Sequence, residues 1–589
     1  MTDILDFVQQ CTKFMINPRA TATTWLRLPA SSSWQNGDDG LIDGRLWRTE
    51  PISYRTPLAL LLLSLCSIAA VWWWLAIPVS LARVPIDPAD KLECVSYAPF
   101  RGEQTPLVPT TMISTEQMAQ DLAQLAKISK CVRTYSIENG LDQVPELAGK
   151  VGLKVIQGIW LGSNRLKNLA QIAIAVQLTK EYPNTISAIV VGNEVLLRGE
   201  MTAADLAANI RSVKSQVKVP VTYADVWEFW LKNRELYDAV DFLTIHILPY
   251  WEDFPIRAKN AAAHVDSIRK RVAVAFPAKE ILIGETGWPS AGRMRDGALP
   301  SRANQARVVS EILDLAKKEN FRVNLIEAYD QPWKRNLEGT VGGYWGLIDA
   351  DARALKYPAG VPITNYPAWK LQMGLGLGLS FLTFAVGMLA LRRRPWTPRL
   401  LAWITVAISA TSAGILLGVA FDKLVYESFG TGVVLRWGGL LAAGVASPLL
   451  CAYFTMSGRA LPTFLELLGP KPYRTGSFLT VLLGLTLAVT ALVGAETALG
   501  FVFDPRYRDF PFAALTMAVV PFAGLMLVNR PQQGERPIAE SVFAGVLALS
   551  VVYIGFNEGP DNWQSLWTCA IYLLFAITLW RARAVQIPE

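Results

Sequence analysis

Two glutamates carry the residue types and the setting for chemistry. Each closes a short apolar run that reads as a strand: Glu194 in Val191-Gly192-Asn193-Glu194-Val195, and Glu285 in Gly284-Glu285-Thr286-Gly287-Trp288-Pro289-Ser290. Paired carboxyl groups suit glycoside chemistry, in which one protonates the leaving oxygen and the other attacks or stabilises the anomeric carbon. The two groups then need different surroundings, one favouring the neutral form and one the anion. A single glutamate after an apolar run is equally well explained by a salt bridge or a helix cap. Two, the first preceded by Asn193 and the second followed by Gly-Trp-Pro, are more specific.

Aromatic residues gather around the same strand ends: Tyr97, Tyr135, Trp160, Tyr223, Trp227, Tyr250, Trp251, Trp288, Tyr329, Trp333, Tyr344 and Trp345. A ring offers a flat apolar face to the C–H face of a pyranose, and the alternative is ordinary packing of the domain. The candidate substrate contacts are Asn193, Tyr97, Tyr135, Tyr223, His246, Tyr250, Trp288, Tyr329 and Trp333, with Trp288 and Tyr223 foremost for a cleft. His246 either contacts sugar, orients Glu285 or is a buried structural histidine. For Asp225, Glu327 and Asp330 a role in the cleft stands beside a structural one, with an ion pair the first reading for the last two.

These residues need a scaffold that brings strand ends together. Between about residues 84 and 367, apolar β-branched runs alternate with helical patterns, the signature of a parallel α/β sheet. Candidate strands cover 95–100, 131–136, 154–161, 188–195, 220–226, 242–249, 280–288 and 324–331, with amphipathic helices such as 115–127 and 304–318 between them. Eight strands in a domain of this size predict a (β/α)8 barrel, whose active groups sit at the C-terminal strand ends. The glutamates then fall on the fourth and seventh strands.

The rest of the chain is of another kind. Of 589 residues, 52% are hydrophobic and only 18% are charged, a balance that points to a membrane-embedded part. A first apolar run, 58–82, is long enough to span a bilayer and too far from Met1 for a cleaved signal peptide. Seven more follow near 369–391, 400–420, 433–455, 477–499, 511–528, 538–556 and 563–580. The formal charge of +7 is not read as a nucleic-acid site. Much of the basic excess lies in short loops, with Arg392, Arg393 and Arg394 as the clearest cluster, and follows the positive-inside rule. The expected organisation is a cytoplasmic segment 1–57, a signal anchor 58–82, an extracytoplasmic barrel 84–366, a seven-span bundle 367–581 and a cytoplasmic tail 582–589. Both termini then face the cytoplasm.

Two histidines, His246 and His264, and six cysteines without a CxxC pair leave no zinc pattern. Cys94 and Cys131 open the first and second strands, which are barrel neighbours, so a disulfide between them is expected on the oxidising side of the membrane.

The two glutamate motifs, with the first-strand stretch Val95-Ser96-Tyr97-Ala98-Pro99-Phe100, resemble the signatures of glycoside hydrolase family 17, the β-1,3-glucanases and β-1,3-glucan transglycosylases. The resemblance covers roughly 90–360. It implies a retaining double displacement with Glu194 as general acid/base and Glu285 as nucleophile, and no metal or organic cofactor. The spans on both sides of the barrel are similar to membrane-bound bacterial members linked to cyclic or branched β-glucans. The expected function is a membrane-anchored transglycosylase that elongates, branches or cyclises β-glucan in the periplasm of a bacterial inner-membrane protein. The alternatives are an endo-β-1,3-glucanase of the same fold and a non-catalytic glucan-binding or export component. Expected partners are β-1,3-glucan, membrane lipid and a membrane glucan synthase.

Overall fold

The computed structural model describes residues 54–81, 85–358, 360–392, 400–469, 477–531 and 533–584. The chain divides into a unit Met1–Arg48, wholly outside these residues, and a unit Thr49–Glu589. Expectations for the N-terminal segment and for Arg393 and Arg394 also fall outside them.

The middle of the chain closes into a barrel of eight parallel strands in sequence order. These are β1 (Cys94–Ser96), β2 (Cys131–Arg133), β3 (Lys154–Ile159), β4 (Ile186–Asn193), β5 (Val221–Val226), β6 (Leu243–His246), β7 (Ile281–Thr286) and β8 (Arg322–Leu325). Closure is made by β8 on β1, with Cys94 opposite Asn324 and Val95 opposite Leu325. The strands are apolar almost throughout because both faces are covered, one by the barrel interior and one by helices. The outer helices begin at side-chain caps: Ser114, Asn164, Thr202 and Ser301 each accept from a backbone N–H three residues on, which satisfies an otherwise orphaned donor. Cys94 and Cys131, on adjacent strands, form a disulfide with Cα atoms 4.4 Å apart.

The helical part consists of seven helices long and apolar enough to cross a membrane among the described residues: Arg55–Leu75, Trp369–Leu391, Leu400–Glu427, Thr431–Ser457, Phe478–Phe503, Ile538–Glu558 and Trp563–Trp580. The eighth expected span is the shorter apolar helix Phe512–Val528, of 17 residues. At 1.5 Å per residue it is about 26 Å long, short of the roughly 30 Å hydrocarbon core. It packs against Thr431–Ser457, Leu400–Glu427 and Trp563–Trp580, and most of its side chains are buried by these neighbours. The helix Arg55–Leu75 lies against Trp369–Leu391 and Leu400–Glu427. The last two helices meet at Gly376 and Gly414, where a Cβ on Gly376 would come within 2.0 Å of the Gly414 carbonyl oxygen; small residues are what allow such close crossings in lipid.

The bundle docks on the end of the barrel where the strands finish. Arg293, in the loop after β7, donates to both carboxylate oxygens of Glu558 at 2.6 Å and to the Pro505 carbonyl. Met294 is bracketed by Gln564 and Asn562, Arg257 pairs with Asp561 at 2.8 Å, and Thr340 donates to Asp509 at 2.6 Å. All of these bundle residues sit in or beside the connections 503–512 and 558–563. At the opposite end of the helices lie Arg392, Arg459, Arg530, Arg536, Arg581 and Arg583, and an isolated bridge joins Glu535 to Ala584 there.

Candidate active site

Glu194 follows the last residue of β4, where the strand must turn to bring its carboxyl over the barrel mouth. Gly192 has φ +88° and Glu194 itself φ +52°. A non-glycine residue in the left-handed region is costly, and such residues collect at functional sites. Glu285 stands on β7 and is 5% exposed. Its neighbour across the ladder is His246, the last residue of β6.

These groups converge. His246 Nδ1 lies 2.8 Å from Glu194 Oε1, and Nε2 lies 3.5 Å from Glu285 Oε1. One carboxylate oxygen from each glutamate and one ring nitrogen of His246 lie within 4.8 Å of one another. Arg133, the last residue of β2, completes the centre. Its Nη1 donates to the Gly284 carbonyl at 2.8 Å and to Glu285 Oε1 at 3.2 Å, and its Nη2 donates to Asn193 Oδ1 at 2.5 Å. Nη1 also faces His246 Nε2 at 3.4 Å. A guanidinium only donates, so Nε2 is the acceptor and the imidazole proton sits on Nδ1, directed at Glu194.

Electrostatics separate the two carboxyls. Burial pushes Glu194 up, but the hydrogen bond from His246 and the positive charges of Arg133 and Arg198 outweigh it and leave the group below the usual glutamate value. Glu285 has the fully buried Arg133 as its ion-pair partner. A divalent ion has suitable ligand atoms in Glu194, His246 and Glu285, but the Arg133 guanidinium already supplies positive charge within hydrogen-bond reach of Glu285 and His246.

The surroundings hold this geometry. Arg133 stacks over the Tyr135 ring at 4.8 Å, and Tyr135 Oη donates to Ser96 Oγ at 2.9 Å. Burial, together with the Glu285 charge, raises the Tyr135 phenol well above its ordinary value, so it stays a neutral donor. Arg198 stacks over Trp160 at 4.2 Å and donates to the Asn193 and Leu161 carbonyls. Glu327, just beyond β8, pairs with Lys334 at 2.9 Å; burial carries its carboxyl up to about 7, against the lowering effect of Lys334. Asp225 accepts from the Tyr223 hydroxyl and from Val226 N, and burial raises it to about 6.

Of the sequence-derived candidates, Glu194, Glu285, Asn193, His246 and Tyr135 meet at one place. Trp333 is partly exposed, packs edge-on against Phe100 and donates to Gln331 Oε1 at 2.8 Å. Tyr97, Tyr223, Tyr250, Trp288 and Tyr329 are each at most 1% exposed. Their polar atoms are bound inside the domain, as Trp288 Nε1 is to the Leu299 carbonyl and Tyr250 Oη to the Arg293 carbonyl. Sealed rings offer no face to a sugar, so the subsite expectation for these five gives way to packing beneath the cleft. The sequence-derived rings with open surface are Tyr135, Trp160, Trp251, Trp333 and Tyr344. Arg133 and Arg198 were not among the candidates. Arg133 carried a readable signal, a lone charge ending an otherwise apolar strand, the same signal that marked the glutamates.

A closed barrel whose strand ends converge on two carboxyl groups, a histidine and an arginine has the build of a glycoside hydrolase, and comparison with known proteins gives the same class. Residues 94–346 match the family described as BtgE/BtgC glycoside hydrolase domain, in keeping with the family 17 resemblance. The chain is 28% identical over 265 residues to a glucan 1,3-beta-glucosidase of Candida albicans, covering 40% of this chain and 84% of that one. It is 26% identical over 271 residues to a glucan 1,3-beta-glucosidase of Saccharomyces cerevisiae, covering 42% and 86%. Among solved structures it is similar to an active-site mutant of the Rhizomucor miehei beta-1,3-glucanosyltransferase in complex with laminaritriose, with 23% identity, a TM-score of 0.40, and coverage of 46% of this chain and 97% of that one.

Proposed function

We propose that the protein is a membrane-anchored retaining transglycosylase that remodels β-1,3-glucan chains, with Glu285 as nucleophile and Glu194 as general acid/base. The observation that carries this reading is the closeness of the two carboxyls, one oxygen of each lying within 4.8 Å of the other. Retaining enzymes hold their carboxyls about 5–5.5 Å apart, whereas inverting ones need roughly 6.5–9.5 Å to admit a water. A Glu285 oxygen attacks the anomeric carbon as the leaving chain's oxygen takes the proton of Glu194, giving a glycosyl ester. An acceptor hydroxyl then loses its proton to Glu194 and displaces Glu285. The acid step needs a neutral Glu194. A glycosidic oxygen entering between Glu194 and His246 replaces the hydrogen bond that keeps the carboxyl anionic, so that burial can raise it toward the protonated form.

Arg133 holds Glu285 on one side and Asn193 on the other, the residue beside Glu194, so the spacing depends on a single fork. The long apolar helices support membrane association. The basic residues at the end of the bundle away from the barrel support an extracytoplasmic, periplasmic barrel with cytoplasmic termini. An enzyme fixed where chains emerge from a membrane synthase gains more from moving glycosyl units than from losing them to water. The test is product analysis by mass spectrometry and linkage NMR of the full-length chain with linear β-1,3-gluco-oligosaccharides, beside Glu285→Gln. Longer, branched or cyclic products establish transfer, shorter products alone make it a hydrolase, and no turnover by the wild type overturns the enzymatic reading.

A further inference from the structure

Barrel and bundle line an open cavity of about 370 Å³ along their seam, within the range of ligand pockets. Its barrel wall begins at Ser290, five residues beyond Glu285, and includes Asp330 and Tyr344; its bundle wall is one face of the helix Leu400–Glu427, through Asp422, Lys423, Tyr426 and Glu427, with the first residues of two further helices, Phe512 and Trp563. Neither part makes the cavity alone.

The lining holds four carboxylates, Asp330, Asp349, Asp422 and Glu427, and three cations, Arg302, Lys356 and Lys423, most of them engaged within the protein. Lys356 pairs with Asp330 at 2.7 Å, Lys423 with Glu427, and Asp422 accepts from Gln372 at 2.7 Å. Arg302 donates to the Lys356 carbonyl, and with more acids than bases in the lining an anionic headgroup gains no net attraction. What remains are acceptors: Asp330 is 2% exposed and Glu427 is 6% exposed, yet one carboxylate oxygen of each lacks a hydrogen-bond donor. Buried acceptors of this kind call for a donor. Beside them stand aromatic rings, including Tyr344 and Tyr426, which meet edge to face at 5.4 Å. A lining with no net positive charge, acceptors lacking donors, and rings are the chemistry that takes a neutral, hydroxyl-rich molecule with flat apolar faces.

We infer that the seam cavity is a second saccharide-binding site, which holds a distant unit of the same glucan chain whose reacting end lies over Glu285. This rests on the catalytic reading above. Its position at the strand-end face of the barrel sets it on the catalytic side of the molecule, and the need for both domains gives the bundle a part in recognition as well as in anchoring.

The test uses the full-length protein in detergent, with Tyr426→Ala to remove a wall and Ala354→Trp to fill the mouth from the barrel side. Neither residue touches the carboxyl pair. Turnover of a β-1,3-linked glucose trimer should stay at the wild-type level, while KM for a chain of a dozen or so units should rise about fivefold, the size of one lost stacking contact. In the Glu285→Gln background, calorimetry should show the same loss of affinity for the long chain alone. Equal KM values for wild type and both variants on both lengths overturn the second site even if catalysis stands. Absence of wild-type turnover, with long-chain binding still weakened by Tyr426→Ala, fails the catalytic reading and leaves the site in place. A phospholipid that co-purifies with the wild type and is lost from both variants, with no change in glucan affinity, replaces the saccharide by a lipid and overturns the proposal.

Discussion

Arg133 is the residue on which the centre turns. It is wholly buried and spreads its two terminal nitrogens over Glu285, the Gly284 carbonyl and Asn193. Removing one member of a buried pair leaves the other charge uncompensated, at a cost of roughly 3–5 kcal/mol. Arg133→Leu should therefore lower both thermal stability and activity. Arg133→Lys keeps the charge but loses the fork, and should lower kcat by about a hundredfold with a smaller loss of melting temperature. His246 makes a second prediction. Its contact holds Glu194 below the usual carboxyl range, against burial, so His246→Ala lets the Glu194 pKa rise. Because Glu194 must be protonated to act as the acid, the basic limb of the kcat/KM–pH profile should move to higher pH. A basic limb that stays in place contradicts the assignment. At this scale the sequence showed the glutamates, since a carboxyl at the end of an apolar strand is conspicuous. It did not tell which rings face outward: Trp288 and Tyr223 stand beside the cleft in sequence, but the chain folds them beneath it.

At the scale of elements, the eight strands fall almost wholly within the stretches marked by apolar β-branched runs, because a parallel strand covered on both faces has to be apolar. The ends were harder to place. The first and last strands were expected over 95–100 and 324–331, but β1 stops at Ser96 and β8 at Leu325. Beyond those points the chain leaves the ladder to shape the rim and makes single bonds, such as Ala328 N to the Ser96 carbonyl. Two buried acids belong to that rim segment. Burial raises Glu327 to about 7 and Asp330 to about 6, although Lys334 and Lys356 pull them down. Both values exceed those of the unfolded chain, near 4. The folded state then binds more protons than the unfolded one between roughly pH 4 and 7, and stability falls as pH rises through that window. Glu327→Gln should flatten this slope, read as melting temperature against pH for the full-length chain. Opening the Cys94–Cys131 disulfide, which spans 37 residues, should cost about 3 kcal/mol, measured as the lower melting temperature of Cys94→Ser/Cys131→Ser.

At the scale of the whole molecule, a barrel and an apolar bundle could each be read from composition, but their seam could not. Asp509, Glu558 and Asp561 look like ordinary loop acids in the sequence, and their partners Thr340, Arg293 and Arg257 lie more than a hundred residues away. The Arg293–Glu558 pair is buried on both sides, so Arg293→Ala should loosen docking by several kcal/mol. The expected signs are faster proteolysis between barrel and bundle and a loss of activity on long chains greater than on short ones. The central claim, retention through closely spaced carboxyls, is tested most directly by proton NMR of the anomeric configuration of the first product. The full-length enzyme would act on a linear β-1,3-gluco-oligosaccharide, before mutarotation can scramble the signal. The account predicts β-configured products at the earliest times, and α-configured first products would contradict it.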